Sequence, residues 1–335
     1  MKAFIKAISY YLPEAILTNE QLVAEFPEWS VEKVASKIGI KERHISGIDQ
    51  TAGDMAEQAA RKLFKEYSIS PRDIDFILFC TQSPDYFLPT TACILQYKLG
   101  VSTTSGAIDF NLGCSGYVYG LSIAKGLIVS GTARNILLLT SETYSKHLHP
   151  KDKSNRTIFG DGAAATLVST DGFAEILYFS LGTDGSGAEN LITKTGAFRN
   201  PLPQNDIHLD DAGNPVSSDH LYMNGSDIFN FTLENVPIFV EDTLKKNNLS
   251  LDRISLFVFH QANKYLMNFL RKKLRIEEEK FYYFIENVGN TVSSTIPIAL
   301  KEAQNENKVH GNILLAGFGV GYSWGGVVLN CNSSK

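Results

Sequence analysis

EYSISPRDIDFILFCT, residues Glu66 to Thr81, reads like KNNLSLDRISLFVFHQ, residues Lys246 to Gln261, found 180 positions further on. Each runs from a helix end through a short polar turn into four apolar residues, Phe76 to Phe79 in one and Leu256 to Phe259 in the other, as buried strands do. A second pair, ARNILLLTSE (Ala133 to Glu142) and HGNILLAGFG (His310 to Gly319), recurs at a shift of 177. Each of these follows an amphipathic segment, Tyr117 to Val129 and Thr295 to Ala303. Two repeated pieces in the same order, at nearly the same shift, indicate an α/β chain built by duplicating a β-α-β-α-β half. Two copies are too few for a solenoid, so the halves, residues 1–172 and 173–335, are expected to face each other as one pseudo-symmetric body. Between Leu181 and Asp227 the repeat is broken by an insertion rich in Gly, Asn, Asp and Pro, expected to be a functional cover or an interface.

The composition narrows the function. Of 335 residues, 44% are hydrophobic and 20% are charged, which excludes a disordered chain. A net charge of −5 argues against nucleic acid or an anionic membrane as partner. The long uncharged stretch Val309 to Ser334 carries glycines and polar residues that suit strand, turn and strand better than a membrane helix. Four widely spaced cysteines, Cys80, Cys93, Cys114 and Cys331, make no disulfide scaffold, and the N-terminus lacks the pattern of a secretory signal, so a cytoplasmic protein is expected.

The chemistry gathers where the repeats turn. The strand AIDF (Ala107 to Phe110) runs into NLGCSG, and the spacing of Val118, Leu121, Ala124, Leu127 and Ile128 starts a helix close to Ser115. Cys114 therefore stands at a strand-to-helix turn between Gly113 and Gly116, where small neighbours admit a substrate and the helix N-terminus favours thiolate. Cys80 and Cys93 lack this setting and are expected in the core. The shift of 177 places the loop ENVGNTVSS, with Asn290 and Thr291, where NLGCSG stands in the first half. The shift of 180 puts His260 at a strand end. A cysteine, a histidine and an asparagine at three equivalent turns suit acyl transfer, with a thiolate nucleophile, a proton-handling imidazole and an amide donor for oxyanion charge.

GCSG around Cys114, HQAN at His260 to Asn263, GNT at Gly289 to Thr291, FGDGAAA at Phe159 to Ala165 and FGVGYSWGG at Phe318 to Gly326 together resemble 3-oxoacyl-(acyl carrier protein) synthase III of the thiolase superfamily. The likeness covers nearly the whole chain. It implies a five-layered αβαβα fold, a homodimer, and a triad of Cys114, His260 and Asn290, with the backbone N–H groups of Cys114 and Val320 as oxyanion donors. Cys114 would take an acyl group from a thioester of coenzyme A or a carrier protein. His260 and Asn290 would then stabilise the enolate formed when malonyl-carrier protein loses carbon dioxide. No cofactor is implied. The pathway is fatty-acid initiation or a related secondary acyl route.

Some positions depart from the family pattern. Where the family carries Trp and Arg against the coenzyme A nucleotide, this chain has Lys33 and Lys37, with Trp29 displaced, and Lys153 replaces a second Arg. Lysine meets phosphate as a point charge without planar stacking, so transfer from acyl-carrier protein is expected to outpace transfer from acyl-coenzyme A. Leu88 stands where a partner subunit's Phe floors the acyl pocket, which would admit chains longer than acetyl. Asn263 joins Lys37 and Lys153 as a substrate contact, and Lys272 and Lys273 match a basic docking pair for acyl carrier protein, while a further docking Lys is Asn230 here. The HLH run at His147 to His149 has a metal-like spacing but no third ligand, so no metal is expected, and GFGVG does not fit a nucleotide loop. Two other readings remain open at this point: acyl transfer to an alcohol or amine without decarboxylation, and a non-catalytic partner subunit.

Overall fold

A computed structural model describes residues 1–211 and 213–331, so the tail of the Val309 to Ser334 stretch lies outside the described residues. Strand β1 (Phe4–Tyr11) precedes a hairpin of β2 (Ala15–Thr18) and β3 (Glu42–Ile45), which encloses α1 (Asn19–Glu25) and α2 (Val31–Ile38). Then come α3 (Ala52–Tyr67), β4 (Phe76–Cys80), α4 (Thr91–Leu99), β5 (Gly106–Phe110), α5 (Gly116–Val129), β6 (Asn135–Glu142), the short α6 (Lys153–Arg156) and β7 (Gly162–Ser169). The second half opens with β8 (Ala174–Thr183). Among the described residues its insertion holds a 3-10 turn (Gly185–Asn190) and the two-residue strands β9 (Leu191–Ile192), β10 (His208–Leu209), β11 (Pro215–Val216) and β12 (Tyr222–Met223). It continues with α7 (Gly225–Lys246), β13 (Leu256–Phe259), α8 (Lys264–Lys273), α9 (Thr295–Asn305), β14 (Asn312–Gly319) and β15 (Ser323–Asn330).

The large sheet has the order β13-β14-β15-β8-β1-β7-β6-β4-β5. Strands β1 and β8 join through only two residue pairs, Phe4 with Glu175 and Ile5 with Ala174, so the sheet is a five-stranded and a four-stranded half meeting at a seam. The halves match in register type: β4 runs parallel to β6 as β13 does to β14, and β7 and β15 close each set antiparallel. The continuous apolar runs predicted at Phe76 and Leu256 are these parallel strands, buried on both faces as such strands must be.

Three cores define five layers. Helices α3 and α4 cover one sheet half through Met55, Ala59, Leu63 and Leu95 against Ile77 and Leu139. Helices α7 and α8 cover the other half through Val236, Phe239, Met267 and Leu270 against Phe257 and Leu314. Between the halves lie α5 and α9, whose Val118, Leu121, Ile296 and Leu300 pack with strands of both. This is the expected αβαβα arrangement. Local signals agree with it: Thr51 and Asp54 form a capping box at the start of α3, whose inward face is then mostly alanine and leucine. One cysteine differs from expectation. Cys80 is core, but Cys93 is exposed, because α4 turns Thr91, Ala92, Leu95 and Leu99 inward and leaves position 93 outside.

The central helices bring their N-termini to the C-terminal ends of the parallel strands. The approach is close enough to demand glycine: a Cβ on Gly317 of β14 would sit 2.8 Å from the Cys114 carbonyl oxygen and 2.8 Å from the Ser115 Cα. Those are backbone atoms and cannot move aside cheaply. Gly317→Ala is therefore expected to lose about 1–3 kcal/mol in urea unfolding and to displace the Cys114 turn. Gly126→Ala, where a Cβ on α5 meets nothing within 4 Å, is expected to gain up to about 1 kcal/mol. Equal stability of the two variants would show that the contact is not tight.

Candidate active site

Cys114 precedes the N-cap residue of α5, Ser115, and is 6% exposed. It sits in an apolar cluster with Tyr144, Phe159, Leu191, Leu221 and Val292. Leu191 and Leu221 come from the insertion, which is pinned at two further points. The Asn190 amide donates to the Tyr322 hydroxyl at 2.7 Å, and the Leu221 N–H donates to the His147 carbonyl at 2.8 Å. From the opposite side the end of β14 presses on the thiol: a Cβ on Gly319 would lie 2.9 Å from the Cys114 sulfur. The backbone N–H groups of Val320 and Cys114 both favour its anionic form.

His260 follows the last residue of β13 and is 2% exposed, its ring edge-on to Phe318 at 5.9 Å. Its Nδ1 lies 2.7 Å from Oγ1 of Thr295, the first residue of α9. Asn290 stands in the loop before that helix, where the N–H of Val292 donates to Asn290 Oδ1 at 2.9 Å. With Oδ1 so engaged, the amide NH2 is the free end, and it reaches the carbonyl of Ala262, two residues past His260, at 3.5 Å. The loop itself is anchored by a buried arginine. Arg43 Nε donates to the Thr157 carbonyl at 2.8 Å, and its Cγ would lie 2.9 Å from a Cβ on Gly289, which has φ +77°.

Burial sets the protonation of the site. Desolvation pushes the Cys114 thiol up to about 12, against the smaller pull of the Val320 N–H. Desolvation also pulls His260 down to about 3, with the Val292 carbonyl opposing it. The expectation that a helix N-terminus would hold Cys114 as thiolate is not met: burial raises the thiol and lowers the imidazole, and both shifts favour the uncharged forms.

Glu142, which the sequence reading missed, deepens this setting. It ends β6, is fully buried, and accepts from the Gln82 N–H at 3.1 Å, from Ser83 Oγ at 3.2 Å and from Ser293 Oγ at 3.2 Å. Burial pushes it up to about 8, and its charge further raises Cys114. A glutamate closing an apolar strand was the available signal.

The remaining predicted positions are spread over several elements. Asn263 caps α8 by accepting from the Leu266 N–H at 2.8 Å. Lys33 and Lys37 are exposed on α2, while Lys153 is held by Glu28 at 2.9 Å. Arg156, another residue that sequence reasoning passed over, pairs with Glu25 at 2.6 Å and lines a cavity of about 530 Å³ with Leu17, Leu148 and Phe159. Leu88 is 80% exposed beside Tyr86 and Phe87 and does not line this chain's own site. Lys272 and Lys273 are exposed in the last turn of α8, and Asn230 lies on α7. His147 and His149 lie in a 3-10 turn and the loop after it, not on a strand. His147 Nε2 meets Ser83 Oγ at 3.4 Å, and the His149 ring lies against His220. Among the described residues no group of three His, Cys, Asp or Glu side chains could hold a metal.

A duplicated αβαβα body that carries a buried cysteine at the start of a central helix is the arrangement that the resemblance to the thiolase superfamily implied. Family models agree on the type: the 3-oxoacyl-[acyl-carrier-protein] synthase III model matches residues 108–185, and the C-terminal model of that enzyme matches residues 244–331. The chain is 38% identical over 322 residues to the β-ketoacyl-[acyl-carrier-protein] synthase III of Clostridium perfringens, an alignment covering 95% of this chain and 96% of that one. A crystal structure of a 3-oxoacyl-(acyl-carrier-protein) synthase III is 49% identical, with a TM-score of 0.96 over 98% of this chain and 100% of the other. A 3-oxoacyl-(acyl-carrier protein) synthase from Burkholderia xenovorans LB400 is 34% identical, with a TM-score of 0.89 over 98% of this chain and 94% of the other. The chain belongs to the 3-oxoacyl-[acyl-carrier-protein] synthase III family. That membership supports condensation over acyl transfer to an alcohol or amine, and over a non-catalytic subunit.

Glu142 makes the buried site sensitive to pH in a defined direction. Its ordinary value is 4.5 and its folded value about 8, so its contribution to stability is full below pH 4.5 and is lost as pH rises through about 8. His260, depressed from 6.5 to about 3, acts oppositely and only below pH 6.5. Between pH 6.5 and 8 the melting temperature is therefore expected to fall in the wild type relative to Glu142→Gln. Parallel curves for the two proteins across that window would rule out a raised Glu142.

Proposed function

We propose that this protein carries out the decarboxylating condensation of an acyl thioester with malonyl-acyl carrier protein, through an acyl group held on Cys114. The observation that carries the residue assignment is the buried Cys114 thiol, packed with Val292, whose carbonyl acts on the neutral His260 ring and accepts from the Thr295 hydroxyl that meets it. On this reading residues 1–172 supply the nucleophile, and residues 173–335 supply the histidine and asparagine.

In the first half-reaction His260 Nε2 takes the Cys114 proton and the sulfur attacks the acyl carbonyl. The oxyanion forms against the N–H groups of Cys114 and Val320. The donor's carbon–sulfur bond then breaks, and its departing thiolate takes the proton from His260. In the second half the bond between the malonyl methylene carbon and its carboxylate breaks, carbon dioxide leaves, and the electron pair becomes a thioester enolate. The Asn290 NH2 and a proton taken up on His260 Nε2 stabilise the enolate oxygen. The enolate carbon attacks the acyl group, and the released Cys114 sulfur receives that proton. One proton is consumed for each carbon dioxide formed.

The surroundings support the choice of partners. Helix α8 presents Lys272 and Lys273 beside an aromatic group, Tyr265, Phe269 and the neighbouring Phe229, with Tyr265 and Phe269 5.0 Å apart, which suits an acidic carrier protein. Strand β5 is a sheet edge, near Tyr86, Phe87, Leu88 and Phe198, all more than half exposed. A second copy placed on that edge would cover them and bring Leu88 to the acyl pocket. Sedimentation showing a monomer at micromolar concentration would remove this assembly, and carrier affinity unchanged in Lys272→Glu/Lys273→Glu would remove the docking face. The metal-free mechanism asks for no cofactor. No helix among the described residues is long and apolar enough to cross a membrane, and we place the reaction in the cytoplasm.

Intact-protein mass spectrometry with acyl groups of two to twelve carbons, each on coenzyme A and on carrier protein, tests the reaction. The acyl mass is expected on Cys114 and absent from Cys114→Ala, with malonyl-carrier protein then releasing carbon dioxide. Lys33 and Lys37 stand free of ring contacts and Lys153 is held by Glu28, so carrier-bound donors are expected to react faster by about 2- to 30-fold. Label on Cys80 or Cys93 would contradict the site, and fastest transfer from acetyl-coenzyme A would contradict the donor preference.

A further inference from the structure

The mechanism asks more of His260 than proximity. To take the thiol proton it must present Nε2 bare, which means that the neutral ring carries its hydrogen on Nδ1. With the ring 2% exposed, its protein neighbours decide this.

Thr295 is that neighbour. Its Oγ1 lies 2.7 Å from His260 Nδ1 and 2.9 Å from the Val292 carbonyl oxygen, and the side chain is 3% exposed. A hydroxyl has one proton to give. The Val292 oxygen can only accept, so the Thr295 proton goes there, and Oγ1 accepts the hydrogen on His260 Nδ1. The Val292 carbonyl also favours the protonated ring directly.

Val292 is β-branched yet has φ +56°, in the left-handed region such residues rarely adopt. That turn aims both of its polar groups at the site: the N–H holds Asn290 Oδ1 at 2.9 Å, leaving the Asn290 NH2 as donor, and the carbonyl holds the Thr295 hydroxyl. One turn thereby orients the carboxamide and, through Thr295, the imidazole.

We propose that Thr295 is a positioning residue that keeps the His260 hydrogen on Nδ1, so that Nε2 can accept the Cys114 proton. The inference rests on the condensing reaction proposed above. It concerns the acylation half-reaction, in which Nε2 must accept the Cys114 proton.

Thr295→Val keeps the shape and removes the hydroxyl. Single-turnover acylation of Cys114 in this variant is expected to slow at least about 10-fold, with little change in the concentration of donor needed for half-maximal rate. In 15N-histidine spectra, with the His260 signals identified by their absence in His260→Ala, the wild type should carry hydrogen on Nδ1 and Thr295→Val on Nε2. Thr295→Ser, which restores the hydroxyl, should recover both the rate and the tautomer, which separates the role from packing or folding. Wild-type acylation by Thr295→Val, an unchanged tautomer, or a Thr295→Ser as slow as the valine variant would overturn the proposal. Failure of the wild type itself to acylate Cys114 would instead overturn the condensing reaction on which it rests.

Discussion

Dehydration of a few ionisable groups is the constraint on which this site depends. Cys114, His260 and Glu142 are all buried, and burial moves each toward its uncharged form: the thiol up to about 12, the imidazole down to about 3, the carboxyl up to about 8. A thiolate–imidazolium pair would be two charges in a pocket walled by Tyr144, Phe159, Leu191 and Val292. The neutral pair costs far less, and it makes the nucleophile conditional. A reactive sulfur arises when His260 takes the proton, beside an acyl carbonyl whose developing charge the Cys114 and Val320 N–H groups can meet. Without a thioester the protonated thiol is a weak nucleophile, which slows its oxidation.

The architecture exists to hold that pocket shut. Helices α5 and α9 lie between two sheet halves, so their N-termini end inside the molecule. Glycine at 317 and 319 lets the end of β14 press on the Cys114 turn. The insertion then supplies Leu191 and Leu221 as a lid, tied by Asn190 to Tyr322. Arg43, whose guanidinium is buried and pulled down to about 10 by the same dehydration, clamps the loop between Thr157 and Gly289 that carries Asn290.

Much of this was legible in the chain because duplication writes a fold twice. The apolar runs at Phe76 and Leu256, the matched NILLL and NILLA strands, and the offset from Cys114 to Thr291 locate the equivalent turns without any knowledge of contacts. What escaped depends on which side chains meet. Nothing local marks Thr295 as the partner of His260, since the two are 35 positions apart and threonine often opens a helix for capping reasons alone. The Lys153–Glu28 and Arg156–Glu25 pairs bridge more than a hundred residues, so a reading of lysines as coenzyme contacts could not include the acids that hold them. Cys93 failed for a simpler reason: hydrophobic character alone does not say which side of α4 faces in. The thiolate expected at a helix N-terminus failed because the depth of burial, which sequence does not record, outweighs the helix end.

The neutral resting pair is the central claim, and the pH dependence of Cys114 alkylation by iodoacetamide reads it directly. A buried thiol with a value near 12 gives a rate that climbs about tenfold per pH unit from pH 6 through 9 without levelling. A rate that reaches a plateau by about pH 7, and loses that plateau in His260→Ala, would show a standing thiolate–imidazolium pair and contradict the account.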